Sequence, residues 1–277
     1  MDAEFRIATG LGGDPDAGTH CGKPCLDHVE TDTAPGIAEG VAEQTGFGEM
    51  QDKYQPLADY LGRVLKTKVA LESSQNIKSA ILNLQKGRYD LMFCRPSNVA
   101  AKAIRDNNYQ LVAMAKGEFA ANFIVRKDQP FKKNEDVLPR TIALPEQNSL
   151  MAKVGLATLR DMGGKPDPKQ LRFTQYQEAV NFMVENKFAD VGIVAPAQAK
   201  AWEKKGGVTL FKSKKLPFWS IIASPKLSKN DVANMQKALI DMENSEEGKK
   251  ILAKIGVKGW VGGNPKDYVD MLTWLGV

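Results

Sequence analysis

The sequence predicts an α/β protein of two lobes, each a mostly parallel sheet with flanking helices, with a ligand cleft between the lobes. Three observations lead there. Short apolar runs alternate with amphipathic stretches at the spacing of strand–helix–strand units. That order occurs twice, with the segment Lys116 to Ala121 between the two sets. The last stretches then return to helical periodicity, which places residues 1–121 and 212–277 in one discontinuous lobe and residues 122–211 in the other. At 277 residues the chain lies near the length at which a single core divides.

Phe5 to Thr9 reads as the first strand, and Leu11 to Thr45 as a long excursion rich in Gly, Pro and acids. Met50 to Leu65 follows as an amphipathic helix with Tyr54, Leu57, Tyr60 and Leu61 on one face. Val69 to Leu71 is a strand ending in the polar cluster Glu72, Ser73, Ser74, Gln75 and Asn76, which caps a helix over Ile77 to Gln85. Tyr89 to Phe93 is the next strand. Cys94 marks its end, and Arg95, Pro96 and Ser97 turn the chain into a helix over Asn98 to Arg105.

Leu111 to Ala115 and Asn122 to Arg126 are further strands on either side of the lobe crossing. The second set runs from the strand Thr141 to Leu144 through PEQNS to the helix Leu150 to Asp161. It continues with the strand Leu171 to Thr174, the helix Tyr176 to Glu185, the strand Asp190 to Val194 and a helix over Ala197 to Trp202. Leu210 to Ser213 and Ser220 to Ala223 are strands flanking Pro217, Phe218 and Trp219. Helices over Asn230 to Asn244, Glu246 to Ala253 and Tyr268 to Leu275 close the chain.

In such an architecture ligands bind outside the carboxyl ends of the strands, where Thr9, Ser73 and Cys94 fall. The helix start after Cys94 offers backbone N–H groups to an anion, and Gln147, Asn148 and Ser149 do the same in the second lobe. Cys94 reads either as a small buried hydrophobe or as a soft ligand at that junction. Tyr54, Tyr176 and Trp219 are candidate aromatics of the cleft.

Composition narrows the function classes. A net charge of +5 is modest, and the basic runs lack the interleaved aromatics of a nucleic-acid surface, so no nucleic acid is expected. No apolar run reaches the ~18 residues of a membrane span. Met1-Asp2 ahead of AEFRIAT reads as an added start on a trimmed mature chain, which leaves export open. Cys21 and Cys25 have the spacing of a local disulfide in an oxidising compartment; with His20 and His28 they are a poor match to structural zinc frameworks. Gly10, Gly12 and Gly13 enter an acidic loop and not a helix, and neither a phosphate-binding loop nor a nucleophile elbow is present. A binder, not an enzyme, is the expectation.

Four strings then carry a resemblance: YQPLADYLGRVL at 54–65, AILNLQKGRYDLMF at 80–93 with Pro96 and Ser97, YQEAVNFMVENKFADVGIV at 176–194 and GVKGWVGGNPKDYVDML at 256–272. Together they resemble the periplasmic solute-binding proteins of ABC transporters for phosphate, phosphite and phosphonates. The resemblance implies a type II binding-protein fold, a periplasmic location, hinge closure on a small tetrahedral anion and a monomer. Two departures shift the expected ligand. Cys94 stands where the family usually has a glycine or small apolar residue, and Pro145-Glu146-Gln147-Asn148-Ser149 replaces a serine/threonine-rich string. These point to the family's arsenite-binding regulatory branch, with arsenite as the ligand and no other cofactor. In that reading Cys94 bonds arsenic, Arg95, Ser97, Asn98, Glu146, Asn148, Ser149, Tyr176, Trp219, Ser73 and Tyr54 complete the shell, Cys21 and Cys25 either supply further thiolates or, as an oxidising compartment favours, form a disulfide, and a membrane sensor histidine kinase receives the signal. The alternative is a phosphate, phosphite or phosphonate carrier for an ABC permease, with Cys94 structural.

Overall fold

The computed structural model describes residues 5–9, 47–72 and 77–277, with side chains over 51–72 and 81–277. The chain divides into two compact units, both α/β. The first comprises residues up to Gly117 together with Phe218–Val269, and the second comprises Glu118–Pro217 and Asp270–Val277.

Among the described residues, unit 1 is built on six strands. β1 (Phe5–Thr9), β2 (Val69–Glu72), β3 (Leu91–Cys94), β4 (Gln110–Ala115), β10 (Ser220–Ala223) and β11 (Trp260–Val261) lie in the order β11-β4-β10-β3-β1-β2. Its helices are α1 (Phe47–Leu65), α2 (Ile77–Gln85), α3 (Ser97–Asn107), α7 (Lys229–Asp241), α8 (Glu246–Ile255) and the first part of α9 (Pro265–Leu275). β1 pairs in parallel with β2 and β3, as strand–helix–strand units require. The sheet is nevertheless mixed. β10 enters between β3 and β4 antiparallel to both, and β11 adds antiparallel to β4. The expectation of mostly parallel sheets therefore holds only for the repeating units, because strands arriving from elsewhere in the chain need no crossover helix and pair in the opposite sense.

The apolar stripe of α1 behaves as its spacing requires: Tyr54, Leu57, Ala58 and Leu61 are all buried against the sheet. At its end a Cβ on Gly62 would meet the Thr67 carbonyl oxygen at 2.8 Å, so the tight turn into β2 excludes a side chain there. Phe93 sits at the centre of this core, with Tyr54 on one side (6.1 Å between centroids) and Trp260 on the other (5.5 Å), both edge-on. Phe93 and Leu91 belong to this face of the sheet. By strand alternation Met92 and Cys94 point to the opposite one.

Unit 2 carries five strands, β5 (Asn122–Val125), β6 (Ile142–Leu144), β7 (Leu171–Phe173), β8 (Val191–Val194) and β9 (Val208–Lys212), in the order β7-β6-β8-β5-β9. β6 pairs in parallel with β7 and β8, whereas β5 pairs antiparallel with β8 and β9. Helices α4 (Leu150–Asp161), α5 (Gln177–Glu185) and α6 (Pro196–Lys204) follow β6, β7 and β8 respectively. Because those three strands run parallel, all three helices start at the same end of the sheet. Trp202 of α6 closes the core by donating its indole N–H to the Val125 carbonyl (3.0 Å). No described helix is long and apolar enough to cross a membrane.

Candidate functional site

In unit 1 the chain leaves β3 at Cys94 and enters α3 through Arg95 and Pro96, the latter occupying the N-cap position. Proline carries no side-chain acceptor, so the N-cap residue itself makes no side-chain cap. Ser97 is buried at the first position, and the buried amide oxygen Oδ1 of Asn98 has no hydrogen-bond partner among the described residues. A buried amide without a partner is costly.

Arg95 lies beside this helix start. Its guanidinium stacks on Trp219, 3.5 Å from the ring centroid, and donates to the Tyr54 hydroxyl at 3.3 Å. Phe93 flanks it more loosely at 5.9 Å. Trp219 in turn stacks on Phe218 at 4.4 Å and packs against the main core. The structure thus gathers Tyr54, Arg95, Ser97, Asn98 and Trp219 in unit 1. Ser73 lies outside the described residues.

Cys94 does not join them as an accessible thiol. It is 0% exposed, is paired across the sheet with Ser220, and burial pushes its thiol pKa far up, so the thiolate that a metalloid bond needs is disfavoured. Tyr109 and Tyr268 lie near enough that a charge on Cys94 would add to the effect of burial in raising their own pKa values. Cys94 is a small buried hydrophobe of the second core face.

Unit 2 gathers Glu146, Asn148 and Ser149 ahead of α4, but in a self-contained arrangement. Both carboxylate oxygens of Glu146 accept from the Asn148 backbone N–H at 2.9 Å, and Oε1 also accepts from Asn148 Nδ2 at 3.2 Å. Ser149 Oγ accepts from Ala152 N–H at 3.1 Å as a conventional N-cap. Ser149→Ala is accordingly expected to cost about 1 kcal/mol of stability, measurable as a lowered denaturation midpoint. Tyr176 is 56% exposed and stands at the N-cap of α5 without capping it. One residue that the sequence did not single out takes part: Gln177 Oε1 accepts from Ala195 N–H (2.9 Å) and covers the start of α6. No spacing rule signals that bond, which depends on β7 and β8 flanking β6 in the same sheet.

Among the described residues no group of three or more His, Cys, Asp or Glu side chains could hold a metal ion. Cys21 and Cys25, with their expected disulfide, lie outside the described residues, and the one described cysteine is free.

A family model described as "ABC transporter, phosphonate, periplasmic substrate-binding protein" matches residues 40–268. No curated protein sequence matches the chain. Among solved structures, PhnD1 from Prochlorococcus marinus in complex with methylphosphonate is similar at a TM-score of 0.65 and 13% identity, covering 98% of this chain and 96% of that one. XAC2383 from Xanthomonas citri, bound to chloride ion, gives 0.69 at 11% identity over 99% and 97%. The binding-protein component of a phosphonate ABC transporter from Pseudomonas aeruginosa gives 0.61 at 13% identity over 100% and 86%. At such identities these likenesses establish the fold. The family match and the burial of Cys94 overturn the arsenite expectation: the matched family is that of phosphonate substrate-binding proteins, no set of thiols converges among the described residues, and neither an arsenite-regulatory branch nor a sensor histidine kinase partner is supported. The family match gives no support to a disulfide between Cys21 and Cys25 either.

Proposed function

Because the chain belongs to the periplasmic substrate-binding proteins of phosphonate ABC transporters, we propose that it captures a phosphorus oxyanion (phosphate, phosphite or a phosphonate) and delivers it to the permease of such a transporter. Membership makes it a periplasmic binding protein and not an enzyme. The observation that carries the ligand class is the start of α3. A helix whose N-cap residue is a proline begins directly after a strand end, with a buried serine at its first position and Arg95 two residues earlier, its guanidinium held over Trp219. Helix N-termini favour anions through their N–H groups and their positive dipole end. A nearby arginine adds charge-assisted donors suited to the oxygens of a phosphoryl group.

The reading is tested by thermal unfolding in the presence of phosphate, phosphite, methylphosphonate and, as a control, sulfate. A ligand at one hundred times its Kd adds about 2.7 kcal/mol to the folded state. A raised midpoint with at least one phosphorus oxyanion is expected. Unchanged midpoints with all three would overturn the proposal.

A further inference from the structure

We propose that Arg95 selects the ligand by charge, favouring a doubly charged tetrahedral oxyanion over a singly charged one with the same core. The inference rests on the oxyanion reading and adds to it the charge class of the ligand. Three aromatic residues from separate stretches of the chain fix the guanidinium: Trp219 beneath it at 3.5 Å, Phe93 at 5.9 Å, and Tyr54 accepting its N–H at 3.3 Å. Tyr54 and Phe93 are fully buried and Trp219 packs on the same core, so none of the three can swing aside without opening it.

A free arginine side chain loses about 2 kcal/mol of rotamer freedom on being held. Here the aromatic packing has already imposed that cost, and an incoming anion does not bear it again. A guanidinium held over an indole face keeps its N–H groups in its own plane, where two of them can meet two oxygens of one anion as parallel bonds. Each further negative charge on those oxygens adds Coulombic attraction to a fixed cation that is partly withdrawn from solvent, where salt screens it less than at the open surface. A lysine could supply the charge but not the fork or the stack. An arginine present only to cover the aromatic cluster would behave differently: methionine, of similar reach and apolar, would then replace it with no effect on ligand charge preference.

The experiment compares wild type, R95M and R95K by calorimetric titration with methylphosphonate and with its monomethyl ester. It is run at about pH 9.5: a phosphate ester loses its second proton at about 6 and an alkylphosphonate later, because carbon withdraws less electron density than an ester oxygen, so at that pH the first ligand carries two charges and the second one. Any steric penalty of the ester is shared by all three proteins, so the ratio of the two affinities isolates charge selection. Wild type is expected to favour the dianion. R95M should bind methylphosphonate roughly 10- to 100-fold more weakly while its affinity for the ester changes far less, and R95K should fall between. Wild-type discrimination retained in R95M would overturn the role of Arg95 and leave the oxyanion reading standing. Should R95M fail to fold, R95K decides in the same way, with intermediate discrimination supporting the role and wild-type discrimination overturning it. Wild type binding neither these ligands nor the inorganic oxyanions would overturn the reading itself, and this inference with it.

Discussion

Phe93→Ala is expected to destabilise unit 1 by about 3–5 kcal/mol, the range for removing a fully buried aromatic side chain. Phe93 has no exposed surface and touches the core from both sides, edge-on to Tyr54 and to Trp260. Its removal leaves a cavity that neither neighbour can fill, since Tyr54 is held in the packed stripe of α1 and Trp260 in the β11–β4 pair. The loss extends to ligand binding. With the ring gone, Tyr54 and the guanidinium of Arg95 lose a common support, so oxyanion affinity should fall even where the variant remains folded. Urea denaturation followed by intrinsic fluorescence measures the first effect, and calorimetry at low temperature the second.

Cys94→Ser tests the opposite combination. The substitution exchanges a thiol for a hydroxyl at a position with no solvent exposure, which costs about 1–3 kcal/mol when the new group lacks a good partner. Oxyanion affinity should stay within about twofold, because Cys94 belongs to the face of β3 opposite Phe93 and its thiol is held protonated by burial. Cys94→Ala should be better tolerated, leaving a small apolar void instead of a misplaced hydroxyl. A variant that is stable yet fails to bind oxyanion would place sulfur in the ligand shell after all.

The contrast between these two neighbours shows what the sequence can and cannot reveal. Periodicity identified β3 and the helix that follows, and the stripe Tyr54, Leu57 and Leu61 on α1 was legible from spacing alone. The resemblance carried by the four strings anticipated the fold and the periplasmic family. Strand alternation assigns Phe93 and Cys94 to opposite faces, but it does not say what covers each face. Cys94 pairs with Ser220 of β10, which enters between β3 and β4, a pairing between segments far apart in the chain that no local pattern encodes. The same holds for Arg95: its residue type suited an anion, yet its stack on Trp219 depends on where β10 begins. In unit 2 the short polar string 146–149 announced a helix start correctly. That Glu146 turns back on the N–H of Asn148 is a matter of loop geometry.

Direct calorimetric titration of the wild-type protein with methylphosphonate, phosphite and phosphate tests the central claim most simply. The account predicts saturable binding of at least one of them at one site per chain, weakened by added salt as expected for a charged ligand on a partly exposed guanidinium. Absence of binding heat for all three across a range of temperatures, with the protein folded throughout, would contradict it.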